Sequence, residues 1–400
     1  MATQTFPEDL QVLRRTVTRH FPDLVDELEI ALAVCASLKI QNMSQPLAIW
    51  FLGAPSSGKT TVLDCIGSLP MVLTRDDFSA ASILSASAGM DEQDSLLPQL
   101  DNHILCTPEL APLTNSNQVK VVLSYMTRLL DSGTFVRHSG STGRIGFTSP
   151  QRWSWLGALV DVSPTLFSNM GSMGHRVLHV RMQTRTRTFE ARTSALVRLT
   201  RQRPYAAKLQ IIRRLVVAFF ENLDRYYPDG IRMESANDDE WAVRMIANFA
   251  TLMVSARSVF QKSERKSIGV PLTEHENRAF FALYGLAQAV AFLHGRSYVT
   301  PQELKTVARV ALDSAPVERS DMLRYLINND EIGCDQYVSS VGCSTATASI
   351  RFRQMIKLGL AEKITRPGTT KPYYNITLHH DYTWILEDRL RQFLPPSEIW

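Results

Sequence analysis

Eight residues carry the plainest chemistry in this sequence: Gly53, Ala54, Pro55, Ser56, Ser57, Gly58, Lys59 and Thr60. Their spacing is G-x-x-x-x-G-K-T, a glycine loop whose backbone amides can wrap a phosphate chain. In such a loop Lys59 reaches the β- and γ-phosphates of a nucleoside triphosphate, and the Thr60 hydroxyl binds Mg²⁺. Thr61 continues into a helix whose N-terminus also faces the phosphates. The loop works only between a strand and a helix. Residues 47–52 are an apolar run of strand length, and residues 61–66 can open a helix.

Hydrolysis needs a carboxylate to polarise water, at the end of a nearby strand. Residues 103–107 read as that strand, followed by Pro108 and Glu109. Glu109 is the candidate water-activating group; its other reading is a cap for the next helix. An Asp-Glu pair is the usual arrangement, and here Pro108 stands in the first position. Asp101 precedes the strand, too far away to replace the missing acid. Residues 154–163 read as a further buried strand, ending in Asp161 and Ser163, either of which can orient water facing the γ-phosphate. Then come Gly174, His175 and Arg176, and another strand.

The other elements follow from periodicity and breaks. Residues 8–42 read as helical with a break at Pro22. Residues 70–74 read as a strand, residues 79–88 as a loop or short helix, and residues 117–131 as a helix ended by Gly133. Residues 134–138 and 144–148 flank a Gly-rich turn, a hairpin signature. Arg137, His138 and Arg144 lie at or near its tip, where they can meet a phosphate backbone or simply solvent. Further helices occupy residues 209–219, 241–259 and 272–294. Thr300 and Pro301 read as cap and first turn of one more. The tail reads as three helices and two strands, with Ser344 capping the third helix and Gly359 stopping it. Residues 344–371 hold six Lys/Arg against one acid. Thr345, Thr347, Ser349, Arg351 and Arg353 can face bases or phosphates, with Arg366 and Lys371 along the backbone.

Composition places the chain among globular proteins of two or three domains: 400 residues, 20% charged, net charge +4. Between positions 176 and 214 there are eleven Lys/Arg and one acid, which suits nucleic acid or a solvated helix equally. The five cysteines include no C-x-x-C pair, which argues for a reducing cytoplasm. No run is apolar enough to span a membrane, and residues 1–9 lack a signal core.

The order of these parts resembles an AAA+ ATPase over roughly residues 45–315. The glycine loop, the strand with Glu109, the hairpin before the Asp161/Ser163 strand, and Arg176 resemble the pre-sensor-1 hairpin clade. Within it they are similar to MCM-like helicases, including the smaller ones of mobile elements. The resemblance implies an α/β core with a parallel sheet, an α-helical lid and a C-terminal winged helix. The expected division is 1–44 lead-in, 45–190 core, 191–315 lid, 316–385 winged helix and 386–400 tail. It implies ATP and Mg²⁺ as cofactors, DNA as partner and a homo-oligomeric, hexameric ring. It also implies that Arg176 enters the neighbouring subunit's site, with Arg181 a weaker candidate and a surface ion pair the plain alternative. Arg278, twenty-one residues before Val299, stands where the family has a sensor arginine in its lid. The implied activity is ATP hydrolysis by a helicase or replication-initiation motor. The alternative is an ATP-dependent DNA-bound switch or transcription regulator without unwinding. A small-molecule kinase explains neither the tail nor a trans arginine.

Overall fold

A computed structural model describes residues 6–83, 95–114, 118–139, 143–182, 189–190, 193–194, 197, 203–261, 269–364 and 374–394. Contacts divide the chain into two compact units, which group it differently from the five sequence segments. One comprises Met1–Ser163, Arg176–Asp239 and Gly285–Thr300; the other Pro164–His175, Glu240–Tyr284 and Pro301–Trp400.

The first unit is built on a five-stranded parallel sheet. Its strands are β1 (Ala48–Leu52), β2 (Val72–Thr74), β3 (His103–Thr107), β6 (Trp153–Leu159) and β7 (Leu178–Arg181), in the order β2-β3-β6-β1-β7. A separate hairpin pairs β4 (Phe135–Ser139) with β5 (Gly143–Phe147). β1 and β6 are buried along their whole length, because helices cover both faces of a parallel sheet. Trp50, Trp155 and His179 fill the middle of it, Trp50 edge-on to Trp155 and stacked on His179. Gly157 lets β6 lie at this depth: a Cβ there would come within 2.9 Å of Trp50 and Thr107 and 2.6 Å of Leu110.

The helices Phe6–His20 and Val25–Ser37 are separated by a 3₁₀ turn at Pro22–Leu24, as the proline break implied. The helix Val119–Ser132 buries Val122, Leu123, Met126, Leu129 and Leu130. Gly133 ends it at φ 62°, its N–H donating to Leu129 O at 2.9 Å. Of residues 79–88, Ala80–Ile83 form a short helix and 84–88 lie outside the described residues.

The second unit holds the helices Pro164–Met173, Glu240–Arg257, Leu304–Asp313 and Val317–Asn328. The last two are tied by buried charges: Arg324 Nη2 donates to Asp313 Oδ1 at 2.7 Å, and Arg309 Nε lies 3.6 Å from Asp313 Oδ2. Arg319 donates to Ala256 O and Ser258 O at the end of the helix Glu240–Arg257, and burial lowers its pKa to about 10. A two-stranded piece, β8 (Val259–Phe260) with β9 (Pro271–Leu272), follows that helix. At the end of the chain, helices Cys334–Val341 and Thr345–Lys357 accompany a three-stranded antiparallel sheet. It consists of β10 (Ile332–Gly333), β12 (Asn375–Leu378) and β11 (Ala361–Ile364), in that order. Ser344 caps its helix by accepting the Thr347 N–H, and Gly359 follows at φ 67°.

Three sequence expectations change here. The strand expected over 154–163 stops at Leu159, so Asp161 and Ser163 lie in the loop beyond it. The helix expected from Pro301 opens as a 3₁₀ turn and runs on to Asp313. The helix expected over 272–294 starts at Glu276, with Pro271 and Leu272 in β9. No helix among the described residues is long and apolar enough to cross a membrane.

Candidate nucleotide site

The glycine loop joins β1 to the helix Lys59–Ile66, with the chain turning through Ser56 at φ 63° and Gly58 at φ 95°. These left-handed residues bring successive amides to one side, the geometry that favours an anion. Gly58 is needed twice, since a Cβ there would also lie 2.6 Å from Leu24 Cδ2. Lys59 is 9% exposed, and its ammonium is folded onto the loop, donating to Gly53 O at 2.5 Å and Ala54 O at 2.8 Å. Ser57 Oγ is 3.4 Å away. Burial lowers the Lys59 pKa, and the Glu109 carboxylate works against that lowering. Glu109, 56 positions after Gly53, is therefore the acid that acts electrostatically on the loop lysine.

The sheet order explains this convergence. β6 lies between β1 and β3, and its end touches both site segments. Gly53 N–H donates to Leu159 O and Val160 O at 3.2 and 3.0 Å, while Leu110 N–H donates to Ala158 O at 2.9 Å. All strands are parallel, so the loop, Glu109 and Asp161 emerge at the same carboxyl edge. Asp101 lies at the opposite end of β3, where it accepts the Arg152 N–H at 2.9 Å.

The site residues do not all point inward. Glu109 Oε1 accepts the Ala111 N–H at 3.1 Å, so the helix-capping reading describes one of its oxygens. Asp161 lies 3.4 Å from Arg181 Nη1 and accepts the Val162 N–H. Arg176 grips Asp131 with two hydrogen bonds, Nε to Oδ1 at 2.5 Å and Nη2 to Oδ2 at 2.7 Å, the ion-pair reading of that residue. Thr60 is exposed, and the Thr61 hydroxyl meets Tyr205 Oη at 3.1 Å. Arg213 donates to Asp64 O on the loop helix at 2.6 Å. Tyr205, Arg213 and Asp131 were not singled out from sequence. Asp131 is marked only as the last residue of the helix expected over 117–131.

Arg278 is half-buried on the helix Glu276–Leu293. His138 and Arg144 pair across the hairpin and share a face, so Arg137 lies on the other. In the tail, Thr345 and Arg353 are exposed, while Thr347 is half-buried in the capping turn, its Oγ1 2.9 Å from Ser344 Oγ. Arg351 is committed inward: it donates to Tyr337 Oη at 3.0 Å and to Glu318 Oε1 at 3.2 Å. Arg366, Lys371, the hairpin turn 140–142 and most of the basic stretch between 183 and 202 lie outside the described residues.

Comparisons add one family match: residues 265–314 fit the AAA lid domain. With the parallel α/β core, that segment agrees with an AAA+ architecture. A search of curated proteins by sequence finds no match. Among solved structures, the chain is similar to a full-length MCM homolog from Methanopyrus kandleri. Identity is 14%, the TM-score is 0.44, and the match covers 80% of this chain and 63% of that one. The chain thus spans less than two thirds of that protein, and no residue role is carried over from it.

Proposed function

We propose that the chain is a subunit of an ATP-hydrolysing AAA+ motor that acts on DNA, in the manner of an MCM-like helicase. The observation that supports it most is the meeting of the Lys59 loop, the end of β6 and Glu109 at one sheet edge, upstream of a lid segment. The donor set fits a Mg²⁺-bound triphosphate: loop amides at left-handed residues, a lysine, and the exposed Thr60 hydroxyl. Mg²⁺ supplies charge neutralisation along the phosphates when bound.

In this reading the loop amides and Lys59 fix the phosphates, Lys59 exchanging the Gly53 and Ala54 carbonyls for phosphate oxygens. Glu109 accepts a proton from the attacking water. Asp161 or Ser163 orients that water from the β6 loop. Arg176 of a neighbouring copy stabilises charge on the transferring phosphoryl group, having left Asp131. The Arg176 side chain is 9% exposed and that of Asp131 34%, so that exchange breaks a largely buried pair and costs more than the ~1 kcal/mol of a surface ion pair. Arg278 couples the lid to the nucleotide. His138 and Arg144 on the hairpin, with Thr345 and Arg353 on the tail helix, meet DNA, and the tail is read as a winged helix whose wing carries Arg366 and Lys371.

A second reading, a DNA-bound switch with slow turnover, is favoured by Pro108 in place of an acid and by the hydrogen bond that holds Glu109 to Ala111 N. The two part company on a forked duplex. The motor reading expects ATP-dependent strand separation by wild type. It also expects Glu109→Gln to bind ATP yet hydrolyse it about 10²–10⁴-fold more slowly, the usual cost of losing a general base. Steady hydrolysis with no separation in either polarity leaves only the switch.

A further inference from the structure

The chain carries consecutive histidines, His379 and His380, after β12, and the motor reading gives them no work. The His379 N–H donates to Leu360 O at 3.1 Å, which sets both rings beside Glu362 on β11. Glu362 Oε1 is 2.5 Å from His380 Nδ1 and 3.7 Å from His379 Nε2, and it accepts the His380 backbone N–H at 2.9 Å. On the far side of the rings, Asp381 Oδ1 is 3.3 Å from His380 Nε2 and Asp381 Oδ2 is 3.3 Å from His379 Nδ1. The ring centroids are 4.2 Å apart.

None of these four side chains carries a fixed positive charge. His380 has a carboxylate oxygen at each ring nitrogen, but a neutral imidazole has one N–H only. One contact therefore sets lone pair against lone pair unless a proton or a cation stands there. His379 is eased in part, since the Asp381 N–H can serve its Nδ1 at 3.3 Å. Two carboxylates and two imidazoles are balanced by one divalent cation, whereas two imidazolium rings 4.2 Å apart repel each other.

One ligand atom from each of Glu362, His379 and His380 lies within 4.8 Å of the other two. Ligands at about 2.0–2.2 Å from a tetrahedral ion stand about 3.3–3.6 Å apart, so side-chain shifts of about 1 Å suffice. The outer nitrogens then donate to Asp381, the carboxylate–histidine–metal arrangement that orients imidazole ligands. We propose that Glu362, His379 and His380 bind one divalent transition-metal ion of the Zn²⁺ class, with Asp381 as the positioning residue. Imidazole with carboxylate suits Zn²⁺ and its neighbours better than Mg²⁺ or Ca²⁺, which prefer all-oxygen ligands.

The ion would join β11 to the turn His380–Leu386. That turn reaches the helix Glu240–Arg257, where Tyr382 Oη donates to Ser255 Oγ at 2.9 Å and Trp384 stands edge-on to Phe249. The site is therefore a staple for the end of the chain, separate from the nucleotide chemistry.

The test titrates chelator-treated full-length protein with Co²⁺ and with Zn²⁺ at neutral pH, in excess Mg²⁺. One Co²⁺ is expected to bind with visible d–d bands and without a thiolate charge-transfer band, which separates this site from the cysteines. Glu362→Gln and His380→Ala are expected to bind at least about 10-fold more weakly, and Asp381→Asn about 10-fold more weakly. Zn²⁺ is expected to raise the unfolding midpoint of wild type but not of Glu362→Gln. Equal binding by wild type and both ligand variants, no stoichiometric binding by wild type, or a thiolate band overturns the proposal. If His380→Ala does not fold, the comparison with Glu362→Gln decides.

Discussion

Lys59→Ala is expected to lower ATP hydrolysis at least about 100-fold and to leave the fold intact. The size follows from what the ammonium does: it is the one side-chain cation on the loop, and losing a single charged contact to the transition state costs about 10²–10³ in rate. The fold survives because Lys59 opens its helix and its hydrogen bonds are to loop carbonyls of Gly53 and Ala54, which water can serve. Phosphate release, binding of a labelled nucleotide and far-UV circular dichroism check it together. Turnover within a factor of two of wild type would remove the loop from the mechanism.

Asp313→Ala is expected to be the most destabilising single change outside the nucleotide site. Asp313 is 2% exposed, and both arginines at its oxygens, Arg324 and Arg309, are under 8% exposed. Removing the acid takes from Arg324 its carboxylate partner, and from Arg309 a nearby one, where both side chains are buried. Breaking a buried pair from one side costs about 3–5 kcal/mol. Chemical denaturation measures the loss, and Asp313→Asn, which keeps hydrogen-bond acceptance, is expected to lose less. A loss under about 1 kcal/mol for the alanine variant would show that Arg324 is satisfied by other groups.

Local signals in the sequence proved informative and long-range ones did not. The glycine loop, the Pro22 break, the Gly133 stop and the Ser344 cap each rest on a few neighbouring residues, and the structure shows each where the spacing put it. The parallel core was also legible, through the AAA+ resemblance that the glycine loop and its flanking apolar runs carry. The order of strands was not, because nothing local says that β6 inserts between β1 and β3. That insertion brings Asp161 to the same sheet edge as the loop and Glu109, where its carboxylate lies 3.4 Å from Arg181. The helix Pro164–Met173 escaped because it is short and its proline reads equally as a loop. Side-chain partners were the least legible. Arg176 and Asp131 are 45 positions apart, and Arg351 turns toward Glu318 rather than outward. The cluster of Glu362 with His379 and His380 depends on strand pairing that brings residues about one hairpin apart into contact. The metal-ligand spacings sought in the cysteines gave no hint of it.

The central claim is that each nucleotide site is completed by Arg176 of a neighbouring copy. Mixing two inactive variants tests it most directly. Arg176→Ala keeps an intact loop and lacks the arginine; Lys59→Ala keeps the arginine and lacks a working loop. Each alone is expected to hydrolyse ATP at least about 100-fold more slowly than wild type. Mixed, they form junctions that pair the intact loop of one with the intact arginine of the other. The account predicts that hydrolysis returns on mixing, to a sizeable fraction of the wild-type rate. A mixture as inactive as its components, or full turnover by Arg176→Ala alone, contradicts it.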